Sequence, residues 1–101
     1  SLTHINHALL KNKNNPEIYF NKAIILEKLG MLDEALRNYL KTIELDEKNF
    51  QAYNNMCASY NSIGMWKEGI EAGEKAVEID PNSKLAKNNL NWSYSIKERA
   101  N

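Results

Sequence analysis

The chain is 101 residues long, with 13 basic and 13 acidic side chains, a net charge of zero and an apolar fraction of 43%. That length suits one compact domain or a short piece of a longer array, and the apolar content suffices for a core if helices stack side by side. The two signs of charge are interspersed, which argues against a grip on nucleic acid or an anionic membrane, since either needs a basic excess gathered on one face.

The longest aliphatic run, residues 23–26, is far too short to cross a bilayer, and the opening SLTHINH lacks the apolar stretch of a signal peptide. Cys57 is the only cysteine, so neither an intrachain disulfide nor a thiolate metal site can be assembled. A lone thiol fits a reducing compartment and leans toward the cytoplasm without fixing a location.

In chain order, Leu2, Ile5, Ala8 and Leu9 recur at spacings of three and four and predict a short amphipathic helix over 2–11. His4 and His7 lie on it, but two histidines with no acid or thiol nearby read as a solvated pair, and no metal is expected. Residues 12–15 form a polar loop, and Pro16 suits the first turn of a second helix that runs to residue 29 and is stopped by Gly30.

A third helix covers 34–45, opened by Leu32 and a cap-like Asp33, with Ala35, Leu36, Tyr39, Ile43 and Leu45 as its buried stripe. The fourth covers 50–63 and stops at Gly64. The fifth, 68–79, follows Trp66 and Lys67 and ends before Pro81, which cannot continue a helix. The sixth starts near Lys84 and frays toward Ala100. No segment alternates with period two, and every loop is short, as between antiparallel neighbours. The expected class is all-α with six helices.

The chain also repeats itself. Setting residues 16–49 against 50–83 gives the identities Tyr19/Tyr53, Asn21/Asn55, Gly30/Gly64, Met31/Met65, Glu34/Glu68, Lys41/Lys75, Glu44/Glu78 and Asp46/Asp80. Asn89 continues the series of Asn21 and Asn55 at the same spacing. A fixed period of 34 residues is the mark of a solenoid of helical hairpins. Small residues at Ala23, Cys57, Ala35 and Gly69 allow paired helices to approach to about 8–10 Å.

This pattern resembles the tetratricopeptide repeat, through Tyr19, Ala23, Leu26, Ala35 and Tyr39 in one unit and Tyr53, Met56, Cys57, Tyr60, Gly69 and Pro81 in the next. Lys22, Thr42 and Gly73 depart from it without breaking the period. The resemblance implies a right-handed superhelical α-solenoid of antiparallel helix pairs, cut from a longer array. Residues 1–15 would be the second helix of a preceding repeat, 16–49 and 50–83 two full units, and 84–101 the first helix of a following repeat or a capping helix.

By the same resemblance, first helices line a concave groove that binds a peptide of a partner protein. The groove residues expected here are Phe20, Asn21, Ile24, Asn54, Asn55, Asn61, Asn88, Asn89 and Trp92. Asn21, Asn55 and Asn89 would form a ladder of amides, each able to pair with a peptide bond. The ladder resembles the asparagine ladder of O-linked N-acetylglucosamine transferases, although asparagine is also simply common at this place in such repeats. The basic clamp that chaperone-binding members use is missing, because Phe20, Ile24, Leu85 and Asn89 stand where its residues would be.

Trp92 reads equally well as an anchor for a partner or as cover for a neighbouring helix. Complementary end helices offer an alternative function, head-to-tail assembly into a homo-oligomer. No nucleophile with a histidine partner, no paired catalytic acids and no phosphate loop are present in the sequence, so no catalytic residue, cofactor or enzyme activity is expected.

Overall fold

The computed structural model describes residues 2, 3, 5, 6 and 14–100. Its full-length described elements are α1 (Pro16–Lys28), α2 (Leu32–Leu45), α3 (Phe50–Ser62), α4 (Trp66–Ile79) and α5 (Lys84–Ala100). No strand occurs among the described residues. The helix expected over 2–11, with His4 and His7, lies mostly outside them; Leu2, Thr3, Ile5 and Asn6 are helical. The chain divides into two compact units, residues 1–52 and 53–101.

Three helix starts use a short polar side chain to satisfy an N–H group that has no partner within the helix. Asn15 Oδ1 accepts from the Glu17 amide at 3.0 Å, with Pro16 in the first turn of α1. Asn49 Oδ1 accepts from the Ala52 amide at 2.9 Å, and Ser83 Oγ from the Ala86 amide at 3.2 Å.

Helices α2 and α4 start differently from expectation. Their N-caps are Met31 and Met65, which offer no side-chain bond, so Asp33 is not a cap but a first-turn residue of α2. Its carboxylate there faces the positive end of the helix dipole. The cause is the tight turn before each helix. Gly30 and Gly64 both take φ +79°, closed by Met31 N–H to Leu26 O and Gly30 N–H to Glu27 O in one case, and by Met65 N–H to Tyr60 O and Gly64 N–H to Asn61 O in the other. This paired bonding satisfies the last carbonyls of the preceding helix and reverses the chain at once, so that the next helix begins two residues sooner than a polar cap would have placed it.

In the first unit α1 and α2 form a hairpin. Late α2 meets early α1, as the Lys41 ammonium 5.9 Å from the Tyr19 ring centre shows. Ala23 and Ala35 are fully buried at the crossing, with Leu26, Leu36 and Tyr39 around them. Tyr39 packs tilted on Phe20, ring centres 5.9 Å apart, and its hydroxyl donates to Glu27 Oε1 at 2.8 Å. Buried Thr42 resolves its own polarity by donating to Asn38 O at 2.8 Å within the helix.

In the second unit the residues of α3 from Tyr53 onward pack against both α4 and α5. The close approach expected at Gly69 is present: a methyl group there would collide with Asn61 Oδ1 and lie 2.8 Å from Ser93 Oγ. Gly73 is enclosed less tightly, since a methyl group would stand 3.0 Å from both Cys57 Sγ and Leu90 Cδ1. Glycine at these positions lets α4 lie tightly against α3 and α5.

Candidate functional site

Each unit carries an open hollow, and several of the expected groove residues stand on them. In the first unit a hollow of about 440 Å³ lies at the start of α1, lined by Glu17, Phe20, Asn21, Asp46, Asn49 and Gln51 among others. Phe20 is half-buried, packs on Tyr39 and lines the hollow. Asn21 is exposed. Ile24, one turn further along α1, is half-buried and is not part of the lining.

The asparagines of the second unit divide into two kinds. Asn88 is exposed and Asn89 half-buried, whereas Asn54 and Asn61 retain only 5% and 4% exposure. The two buried amides are engaged inside the protein. Asn89 Nδ2 donates to Asn54 Oδ1 at 2.8 Å, Asn61 Nδ2 donates to Asn89 O at 3.0 Å, and Ser93 Oγ donates to Asn61 Oδ1 at 2.6 Å.

Cys57 Sγ lies 3.5 Å from Ser93 Oγ and 3.6 Å from Asn61 Nδ2. A hydroxyl has one hydrogen. With that of Ser93 directed at Asn61, the thiol is the donor to Ser93. Burial pushes the Cys57 thiol up from its ordinary 9.0, outweighing the opposite effect of hydrogen bonding with Ser93 and Asn61, so it stays a protonated, inert packing group. No buried side-chain nitrogen or oxygen is left unpaired among the described residues.

Asn54 and Asn61 therefore tie α3 to α5, and pairing with Asn54 leaves Asn89 its Oδ1 and one N–H. Asn55 is half-buried and already has an interaction of its own. Ser93 had no role in the sequence reading; the available signal was its place 34 residues after Ser59, another polar residue that is buried, at 4% exposure.

The hollow of the second unit, about 480 Å³, is lined by Asn61, Ser62, Gly64, Trp92, Ile96 and Arg99, together with Ala100. Trp92 keeps 40% of its surface exposed. Among the described residues no cluster of three His, Cys, Asp or Glu could hold a metal ion, and no helix is long and apolar enough to cross a membrane.

Residues 16–49 match the family model described as the tetratricopeptide repeat. No curated protein matches the chain. Among solved structures, the chain is similar to the MamA protein, with a TM-score of 0.92 and 21% identity over 96% of this chain and 53% of that one.

It is also similar to YrrB, described as a TPR protein with an unusual peptide-binding site, with a TM-score of 0.86 and 26% identity over 98% of this chain and 51% of that one. The second TPR domain of human RPAP3, solved in complex with the HSP70 peptide SGPTIEEVD, gives a TM-score of 0.84 and 20% identity over 95% of this chain and 78% of that one. The chain thus spans about half the length of MamA and of YrrB.

Proposed function

We propose, from the premise that this chain is built on the tetratricopeptide repeat, that it is a protein-interaction scaffold binding a peptide segment of a partner on the faces of its first helices, α1, α3 and α5. The observation that carries the reading is the pair of open hollows, each with an aromatic side chain at its edge, Phe20 in one unit and Trp92 in the other. A peptide complex and a protein described by its peptide-binding site, both of the same fold, support it.

Asn21, Asn55 and Asn89 supply amides for the peptide backbone, and Phe20, Ile24 and Trp92 its side-chain contacts. Asn88 flanks Asn89 on the same helix. Asn54 and Asn61 serve the site from beneath, by fixing α5 on α3. The division into units at 16–49 and 50–83, with 1–15 and 84–101 as helices of neighbouring repeats, and the stacking of six helices into a right-handed superhelix, belong to the same proposal.

The test is retention of peptides from a random library by the immobilised protein, compared with the Asn21→Ala, Asn55→Ala and Asn89→Ala variants. Each rung contributes about 0.5–1.5 kcal/mol, the net value of one hydrogen bond, so each change weakens a retained peptide by roughly two- to tenfold. Undiminished affinity after all three changes would remove the ladder from the proposal.

A second reading is head-to-tail self-assembly, to which the exposure of Leu85 (60%) and Tyr94 (38%) on α5 lends support. Sedimentation equilibrium separates the two, because assembly raises the mass with concentration whereas a peptide scaffold stays at 11.6 kDa.

A further inference from the structure

The hollow of the second unit has a chemistry narrower than general peptide binding. Trp92, Ile96 and Arg99 follow one another on α5 at spacings of four and three and so share one face. Beneath them the polar side chains are already spent: the Asn61 amide on Ser93 and Asn89, and the Ser62 hydroxyl on Ser59 O at 2.8 Å.

What remains open is an apolar wall and one cation. Arg99 is held against its own helix by Nε to Ser95 O at 3.4 Å and a terminal nitrogen to Ser95 Oγ at 3.2 Å, which leaves its other N–H donors unused. No acidic residue lines the hollow, and Arg99 has no ion-pair partner among the described residues.

We infer that this hollow takes an aliphatic side chain and the carboxylate of the residue two positions along in an extended partner peptide, the aliphatic group against Trp92 and Ile96 and the carboxylate on Arg99. This rests on the peptide-binding reading above and narrows it. A basic residue is repelled by Arg99, and a purely apolar one leaves the guanidinium facing it without a counter-charge. The spacing is suitable: the midpoint of Trp92 and Ile96 lies about 7.5 Å along α5 from Arg99, close to the roughly 7 Å between side chains two residues apart, which share one face of an extended peptide. A volume of about 480 Å³ holds two such side chains.

The test pans wild-type protein, Arg99→Gln and Trp92→Ala against a random-peptide phage library, each protein first checked for wild-type helix content by circular dichroism. Wild type is expected to enrich sequences in which Leu, Ile or Val stands two residues from Asp or Glu. A synthetic peptide of the selected sequence should bind Arg99→Gln about two- to fivefold more weakly, the range of an exposed ion pair. That difference should vanish when its acid is replaced by the amide. Loss of the aromatic wall in Trp92→Ala should cost about thirtyfold or more.

Selected peptides without an acid, or an acidic peptide bound equally well by Arg99→Gln, would overturn the inference and leave peptide binding standing. Failure of wild type to enrich any peptide would overturn both. Arg99 is exposed and supports no buried group, so its variant decides the matter even where Trp92→Ala is unstable.

Discussion

At the scale of single residues, the second unit is governed by space. Gly69 lies where a β-carbon would run into Asn61 and Ser93, two side chains already bonded to each other. Gly69→Ala gains about 1 kcal/mol of helix propensity. It must displace that buried pair, which costs about 1–3 kcal/mol and more once the bond breaks. The net expectation is a loss of stability in urea unfolding, opposite in sign to the effect of the same change on an open helix face.

Cys57 is shaped by the same enclosure. Because the folded protein holds the thiol proton more tightly than the unfolded chain does, the contribution of this group to stability is complete below pH 9.0 and declines as pH rises through the raised value. Native protein should therefore react with a thiol reagent only as fast as it opens, and rapid labelling without unfolding would contradict the burial. Sequence spacing alone could rank Cys57, Gly69 and Ala23 as packing positions. It could not separate Asn54 and Asn61 from Asn88, since an asparagine is polar whichever way it faces and only the position of a partner decides.

At the scale of elements, the stops were plainer than the starts. A glycine after a periodic stretch has one physical use there, the left-handed φ of +79° seen at Gly30 and Gly64. Nothing lies within 4 Å of a β-carbon added at either place, so Gly30→Ala tests conformation without collision. It should destabilise by about 1 kcal/mol, read as a lower thermal midpoint. Asn49→Ala removes a side-chain bond to the start of α3 and should cost about 1 kcal/mol as well. Starts after a glycine turn are harder to read, because backbone bonding makes a polar cap unnecessary; hence Leu32 and Trp66 begin helices that appeared to begin at Glu34 and Glu68.

At the scale of the whole molecule, the 34-residue period carried the class of fold, since the same hydrophobic spacing appears twice with the same turn between. The hollows were beyond the sequence, because each is made by residues from separate segments, as with Glu17 and Asp46 or Asn61 and Ile96. Balanced charge carries its own expectation: with 13 residues of each sign interspersed along the sequence, contact with DNA should release few of the counterions that a basic groove releases. A mobility-shift assay at physiological salt should leave duplex DNA unbound, and salt-sensitive retention of the duplex would show that the charges are grouped after all.

The hydrogen bonds between α3 and α5 also have a direction. The thiol of Cys57 gives to Ser93, Ser93 gives to the carbonyl side of the Asn61 amide, the amino side of that amide gives to the Asn89 backbone, and the Asn89 side chain gives to Asn54. From Cys57 through Ser93 to the Asn61 amide each group that is pulled on as an acceptor becomes a better donor to the next, so these links polarise one another; at Asn89 the relay stops, because its backbone carbonyl accepts and its separate side-chain amide donates. Ser93→Ala would then weaken the hold of Asn61 on Asn89, because Ser93 bonds the Oδ1 of the same amide. Its cost in a double-mutant cycle with Asn61 should depart from the sum of the single changes.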